Sequence, residues 1–253
     1  MVGAEQFYDG LAGDYDLLFD DWWSAAQWHG QVVATVLAAQ GVLPPARLLD
    51  CTCGIGTQAL PLTAAGFDVT GTDVSSAAVA RARSEAATRD LRLPLHVADV
   101  RQVRDAVAGT FDVVLSCDNA LPHLLTDDDL AAALRSIRAC LRDGGLLLAS
   151  LRDYDALTAD RPAGVPITLH GEPGSRHGAG QAWTWSDDGD QVAISLFTLA
   201  EEGGGWRTAA HETTYRALRR DTLTASLHAA GFADVRWLRP DESGYYQPIV
   251  LAT

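Results

Sequence analysis

The residues with the clearest chemistry stand in the run Leu48-Leu49-Asp50-Cys51-Thr52-Cys53-Gly54-Ile55-Gly56-Thr57. An apolar stretch closing on Asp50 reads as a strand end, and Gly54 and Gly56 make a tight turn into a helix-compatible run. Such a turn lets backbone approach a ligand that any side chain would hold away. Asp73 follows 23 residues after Asp50, behind the apolar run 67–72. That is about the ~20-residue interval at which a second strand delivers a carboxylate to a ribose. The loop is not a complete G-x-G-x-x-G. Thr52 takes the place of a first glycine, and Gln58-Ala59 stand where a third would be. A pyrophosphate needs the close approach of a complete loop, so the pattern favours a nucleoside without phosphates and disfavours a nicotinamide dinucleotide.

Two polar runs follow apolar ones. Ser116-Cys117-Asp118-Asn119-Ala120-Leu121-Pro122-His123 is too polar for a plain turn, and Leu151-Arg152-Asp153-Tyr154-Asp155 is similar. An arginine at the mouth of an acidic protein is a bidentate carboxylate clamp by geometry. The alternative is an ion pair from Arg152 to Asp153 or Asp155. His123 is either a proton acceptor or a hydrogen-bonded strut. Asp118-Asn119 lacks a third carboxylate in convincing context, so no metal is expected. Asp127-Asp128-Asp129 after Thr126 is a helix start that complements the helix dipole.

These groups need a scaffold, and the hydrophobic pattern supplies one. Residues 7–41 read as helical, stopped by Gly41 and Pro44-Pro45. Strands are expected at 47–50, 67–73, 93–98, 111–117 and 146–151, alternating with helices at 57–65, 75–88 and 127–141. Five apolar strands alternating with helices give an α/β fold with a parallel, doubly wound sheet. From about residue 161 proline and glycine crowd a loop-rich stretch. Alternating segments 181–185, 191–200 and 206–215 then suggest an inserted antiparallel β patch. A helix at 219–230 and strands at 235–238 and 247–252 close the chain. The expected divisions are a helical cap or lid at 1–45, a cofactor-binding core at 46–160, the substrate-side patch at 161–217, and a return to the core at 218–253.

The block Asp-x-x-Cys-Gly-x-Gly with the acidic strand end after it resembles the cofactor loop of class I S-adenosylmethionine-dependent methyltransferases. The later segments are similar to those of glycine N-methyltransferase-like small-molecule enzymes. The resemblance implies a Rossmann-like sheet of seven strands ending in an antiparallel pair. It implies S-adenosylmethionine as cofactor, with Asp73 and Val74 at the ribose, Asp99 and Val100 at the adenine, and Gly54 and Gly56 along the methionine portion. Asp50, Thr52, Tyr15 and Cys117 complete the implied cofactor contacts. Tyr8-Asp9 and Tyr15-Asp16 match a segment that lies over the site in that family. Tyr8, Asn119, His123, Arg152, Tyr154 and Tyr215 fall at implied acceptor positions, with Asn119 and Arg152 on a substrate carboxylate. His123 or Tyr154 would take a proton from a phenol or enol acceptor.

Composition narrows the setting. The chain has 253 residues and a formal charge of −14, which repels phosphate backbones and argues against nucleic acid as substrate. No apolar run reaches the roughly 18 residues of a membrane helix. Residues 1–10 show no signal-peptide pattern, and the four cysteines form no paired framework. A cytoplasmic enzyme is expected, acting on a small-molecule methyl acceptor without membrane or nucleic-acid partners; a homo-oligomer is compatible with this. The first-choice reaction is N-methylation of an amine or amino acid, glycine- or sarcosine-like. A natural-product or amino-sugar N-, O- or C-methyltransferase shares the same cofactor features. A non-catalytic S-adenosylmethionine-binding regulator is the alternative of a different class.

Overall fold

The computed structural model describes residues 3–253; Met1 and Val2, the start of the expected cap, lie outside them. Helix α1 (Ala4–Leu11), a 3-10 turn at Tyr15–Leu18 and helix α2 (Trp22–Ala39) come first. Then β1 (Arg47–Asp50), α3 (Ala59–Ala64), β2 (Asp68–Asp73), α4 (Ser76–Thr88), β3 (Leu95–Val97) and α5 (Val103–Ala106) alternate. They are followed by β4 (Phe111–Ser116), α6 (Asp127–Cys140), β5 (Leu141–Ser150) and α7 (Tyr154–Asp160). Four strands, β6 (Gly164–His170), β7 (His177–Trp185), β8 (Gln191–Glu202) and β9 (Gly205–Arg216), precede α8 (Arg220–Ala229). The chain ends with β10 (Val235–Leu238), α9 (Pro240–Ser243) and β11 (Ile249–Ala252).

The main sheet has seven strands in the order β10-β11-β5-β4-β1-β2-β3. The five strands β1 to β5 are parallel, and β11 runs antiparallel to both β5 and β10. Leu48, Leu49, Val113, Val114 and Leu115 are fully buried, as central strands covered on both faces must be. Helix α6 shows why helices cover them. Leu130, Ala133, Leu134 and Ile137 recur at helical spacing and are buried, and the Thr126 hydroxyl accepts from the Asp129 N–H at its start. The chain runs β1 to β3 toward one edge, then crosses to β4 and β5 on the other side of β1. Strand order therefore reverses between β1 and β4, and ligands bind outside the carboxyl ends at that point.

The second sheet is antiparallel, in the order β6-β7-β8-β9. One face, with Trp183, Val192, Ile194 and Tyr215, joins the core beside Leu121, Leu151 and Tyr154. Strand β6 corrects the expectation of a loop after residue 161. Its Pro166 is tolerated because β6 is an edge strand paired with β7 alone. Gly178 is not a loop residue either: a Cβ there would lie 1.9 Å from the Thr168 carbonyl oxygen, so the glycine permits the close approach of β6. Strand β5 likewise starts earlier than expected, at Leu141, and takes Asp143-Gly144-Gly145 up as an irregularity in its pairing with β4. Among the described residues no helix is long and apolar enough to cross a membrane.

Candidate active site

A cavity of about 340 Å³ opens at the carboxyl edge of the main sheet, across the ends of β4, β1, β2 and β3. Ten of the expected residues line it: Tyr8, Tyr15, Thr52, Gly54, Asp73, Val74, Asp99, Val100, Cys117 and His123. Asp50, Gly56, Asn119, Arg152, Tyr154 and Tyr215 do not line it.

The first turn is built by backbone. Gly54 has φ +53, and a Cβ on it would meet nothing within 4 Å, so the space above its Cα belongs to the cavity. Its N–H donates to Asp73 Oδ2 at 2.8 Å, and Ser75 N–H donates to Asp73 Oδ1 at 2.9 Å. Each oxygen thus keeps a second lone pair for a ligand. Burial pushes the Asp73 carboxyl up from its ordinary range, partly offset by these N–H bonds. Gly56 serves a different purpose, since a Cβ there would strike the Leu60 side chain at 2.6 Å. Asp50 lies fully buried beneath the loop. Its Oδ1 accepts from Thr52 N–H at 3.4 Å and its Oδ2 has no partner. Burial, with Asp73 and Asp118 nearby, pushes its carboxyl up to about 8. At the β3 end, Asp99 is gripped by the Arg101 guanidinium, which also reaches Asp129 at 2.6 Å. Burial raises the Asp99 carboxyl, but the Arg101 bonds outweigh it and hold it below its ordinary value.

The N-terminal segment covers this floor. Its two Tyr-Asp pairs divide the labour: the tyrosines line the cavity and the aspartates tie the segment to α4. Asp9 Oδ1 accepts from Ser75 Oγ at 2.6 Å and from Ala77 N–H at 3.0 Å. Arg81 binds Asp16 at 2.9 Å and the Ala12 carbonyl at 2.8 Å.

Of the acceptor-side residues Tyr8 and His123 line the cavity, and Asn119, Arg152, Tyr154 and Tyr215 form a layer behind its wall. His123 Nε2 pairs with the Tyr8 hydroxyl at 3.1 Å, its Nδ1 with the Thr213 hydroxyl at 3.3 Å, and its ring packs 4.3 Å from that of Tyr215. Burial, with the nearby Arg152 charge, pushes the imidazole down to about 3, so it is neutral near pH 7. Tyr154, expected as a proton acceptor, does not fit that role: it is 1% exposed and away from the cavity. Its hydroxyl accepts from Asn119 Nδ2 at 3.0 Å, and Asn119 Oδ1 accepts from Arg152 N–H at 3.1 Å. Burial raises the phenol. Arg152 makes no ion pair with Asp153 or Asp155, both of which bind Arg220 instead. Its guanidinium lies over Trp183 at 4.8 Å and Tyr215 at 5.3 Å, one nitrogen reaches Gln181 at 3.2 Å, and Nη1 is buried without a partner.

Sequence reasoning missed His29 and Gln58 and weighed Asp118 only as half of a metal pair; Tyr245 and Tyr246 read as sheet packing first, with a substrate wall or ring faces for a cationic amine as the alternative. Gln58 and Asp118 line the cavity, and the Gln58 amide donates to Asp118 Oδ2 at 2.7 Å. The signal was Gln58 itself, a long polar side chain directly before the apolar start of α3.

The family model for a methyltransferase domain matches residues 48–145, which hold the glycine turn, Asp73, Asp99 and the β4 end. The chain carries a class I S-adenosylmethionine-dependent methyltransferase domain. A glycine/sarcosine N-methyltransferase of Parasynechococcus marenigrum is 29% identical over 183 residues, 72% of this chain and 60% of that protein. One from Aphanothece halophytica is 24% identical over 247 residues, 96% of this chain and 85% of that protein. The chain thus spans under two thirds of the first relative's length. In three dimensions it is similar to S-adenosylmethionine-bound CalS10, an amino pentose methyltransferase from Micromonospora echinaspora. The TM-score is 0.70 at 24% identity, covering 92% of this chain and 91% of the other. The methyltransferase domain suits its cofactor on its own geometry: open space over Gly54, free lone pairs on Asp73, and Val74 and Val100 as apolar surface for a nucleoside.

Proposed function

We propose that the protein transfers a methyl group from S-adenosylmethionine to the nitrogen of a small acceptor that also carries a carboxylate. When bound, the cofactor supplies a methyl group on a positively charged sulfur. Asp73 and the Gly54 turn would hold its ribose and methionine portion, and Val100 its base, with Asp99 as a further acceptor. With the sugar at β2 and the base at β3, Cys117 and Asp118 at the β4 end would border the reactive end. Tyr8 and Tyr15 exclude water above it. Displacement at an activated methyl needs alignment more than acid–base help, and alignment can supply up to about 7–11 kcal/mol. A neutral amine needs no strong base. That suits a site where the imidazole lining the cavity, His123, is held near a pKa of about 3.

The observation that carries the carboxylate is Arg152: a guanidinium between two aromatic rings, free of the neighbouring aspartates, with one buried N–H unmet. A buried donor without a partner is costly, and a charged hydrogen bond contributes about 1.5–3 kcal/mol. The similarity to glycine/sarcosine N-methyltransferases supports the same class of acceptor. The test is steady-state kinetics with glycine and sarcosine. Arg152→Ala should raise the acceptor KM roughly ten-fold or more while calorimetric affinity for S-adenosylhomocysteine stays within about two-fold. Equal weakening of both would remove the clamp. An amino-sugar acceptor is the second reading, supported by the CalS10 likeness, which covers 92% of this chain. Turnover of an amino sugar with none of glycine or sarcosine would favour it.

A further inference from the structure

At the reactive end of the cavity the chain adopts an unusual backbone. Asp118 and Asn119 both have left-handed φ, +57 and +69, a conformation that is uncommon outside glycine and costly when stored in succession. Their side chains take partners on opposite sides. Asn119 serves Tyr154 and Arg152, whereas Asp118 turns toward α2 and the segment before β11. There Asp118 Oδ1 accepts from the Tyr245 hydroxyl at 2.5 Å and the Tyr246 hydroxyl at 3.0 Å, and Oδ2 accepts from Gln58 at 2.7 Å. The nearest basic group is the His29 ring at 3.7 Å, and among the described residues no arginine pairs with Asp118. Burial pushes this carboxyl up, but the contacts from His29, Tyr245 and Gln58 outweigh it and hold it below its ordinary value. The result is an ionised carboxylate, bordering the cavity, held by Gln58 and two tyrosine hydroxyls and lacking a matching guanidinium.

Aromatic rings surround it. His29 stacks on Tyr246 at 5.3 Å, and Trp28 lies parallel to Tyr245 at 6.0 Å. Tyr246 is 51% exposed and Trp28 42% exposed, so the cluster reaches solvent on the α2 side. A carboxylate held by two tyrosine hydroxyls within an aromatic cluster is the chemistry that receives an ammonium group.

We propose that Asp118, with Tyr245 and Tyr246, forms the subsite that meets the positive charge an amine acceptor acquires on methylation. This rests on the methyl-transfer reading above and specifies the acceptor atom. The amine attacks as the neutral base; its lone pair forms the new N–CH3 bond, and the electrons of the broken S–CH3 bond stay on sulfur. Positive charge therefore passes from sulfur to nitrogen, and no proton need leave. A fixed carboxylate beside that nitrogen favours the charged product side of the step more than the neutral amine, which is where electrostatic preorganisation acts. A hydroxyl acceptor would have to pass its proton to a base and would end neutral, leaving no product charge for Asp118 to meet.

The probe is tetramethylammonium, titrated calorimetrically into the protein saturated with S-adenosylhomocysteine. The wild type should bind it. Asp118→Asn should weaken that binding at least ten-fold and leave S-adenosylhomocysteine affinity within two-fold; asparagine tolerates left-handed φ, so the turn is kept. Tyr246→Ala removes a half-exposed ring and one of the two hydroxyls on Asp118 Oδ1 while leaving the carboxylate in place, and should weaken tetramethylammonium several-fold. Absent binding to the wild type, or unchanged binding in both variants, would overturn the subsite. Loss of S-adenosylhomocysteine affinity equal to that of tetramethylammonium would assign the carboxylate to the donor instead. Failure of the wild type to bind S-adenosylhomocysteine at all is a separate result; it removes the methyltransferase reading and the subsite with it.

Discussion

His123 sits with both ring nitrogens engaged, one by Tyr8 and one by Thr213, and with its pKa pushed down to about 3. A group so depressed makes a poor proton acceptor near neutrality, and the geometry gives it a holding role for Tyr8 over the cavity. General base catalysis is worth about 10²–10⁴-fold, so the two roles separate by magnitude. His123→Gln, which keeps hydrogen-bonding capacity, should lower kcat less than roughly ten-fold and leave the pH–rate profile between pH 6 and 8 unchanged in shape. A thousand-fold loss, with a limb near pH 6–7 abolished, would restore the base. The sequence showed His123 beside Asn119 but not its burial, and burial decides its charge. Likewise Arg152 was visible as a cation next to two aspartates. Only the fold reveals that Arg220, 68 residues away in sequence (220 − 152), takes both of them. Gln58, Asp118 and Tyr245 meet from three distant segments, and no local pattern announces such a meeting.

Elements carry the same lesson differently. The βα alternation was legible because buried strands are apolar throughout and helices repeat at 3.6 residues. Strand β6 was not, because an edge strand accepts the proline that a central strand would reject. Glycines that read as loop serve in β7 as points of close approach. Helix α1 was legible as a helix but its tether was not. Asp9 caps the start of α4 from outside, accepting from Ser75 Oγ and Ala77 N–H, and those bonds hold its carboxyl below the ordinary range. Removing a side-chain cap costs about 0.5–2 kcal/mol, too little to unfold the domain but enough to free α1. Asp9→Ala should therefore speed chymotrypsin cleavage in the segment around Phe7 and Tyr8 several-fold. It should also weaken S-adenosylhomocysteine, with the thermal midpoint of the whole protein nearly unmoved. Unchanged cleavage would mean that packing of Phe7 and Leu11 on Leu196 holds the segment without Asp9.

The molecule as a whole carries a charge of −14, and its stability should record where buried carboxylates sit. Asp50 is fully buried with one oxygen unpartnered, and its folded pKa is pushed up to about 8. The unfolded chain releases that proton near pH 4. Above pH 4 the folded state thus binds more protons than the unfolded one, and stability contributed by this group falls as pH rises, until about pH 8. His123 acts with the opposite sign: its folded pKa of about 3 lies below the unfolded value near 6.5, so stability falls as pH drops from 6.5 toward 3. The two slopes oppose each other between pH 4 and 6.5. Between pH 6.5 and 8 only Asp50 of this pair acts, at about 1.4 kcal/mol per pH unit. Urea unfolding of the ligand-free protein should lose roughly 2 kcal/mol over that interval. Asp50→Asn keeps the oxygen that accepts from Thr52 N–H and cannot ionise, so it should flatten the slope and stabilise the protein at pH 8 but hardly at pH 4. A wild-type profile already flat from pH 6.5 to 8 would mean that Asp50 is ionised throughout, with its unpartnered oxygen satisfied by a group from outside the chain.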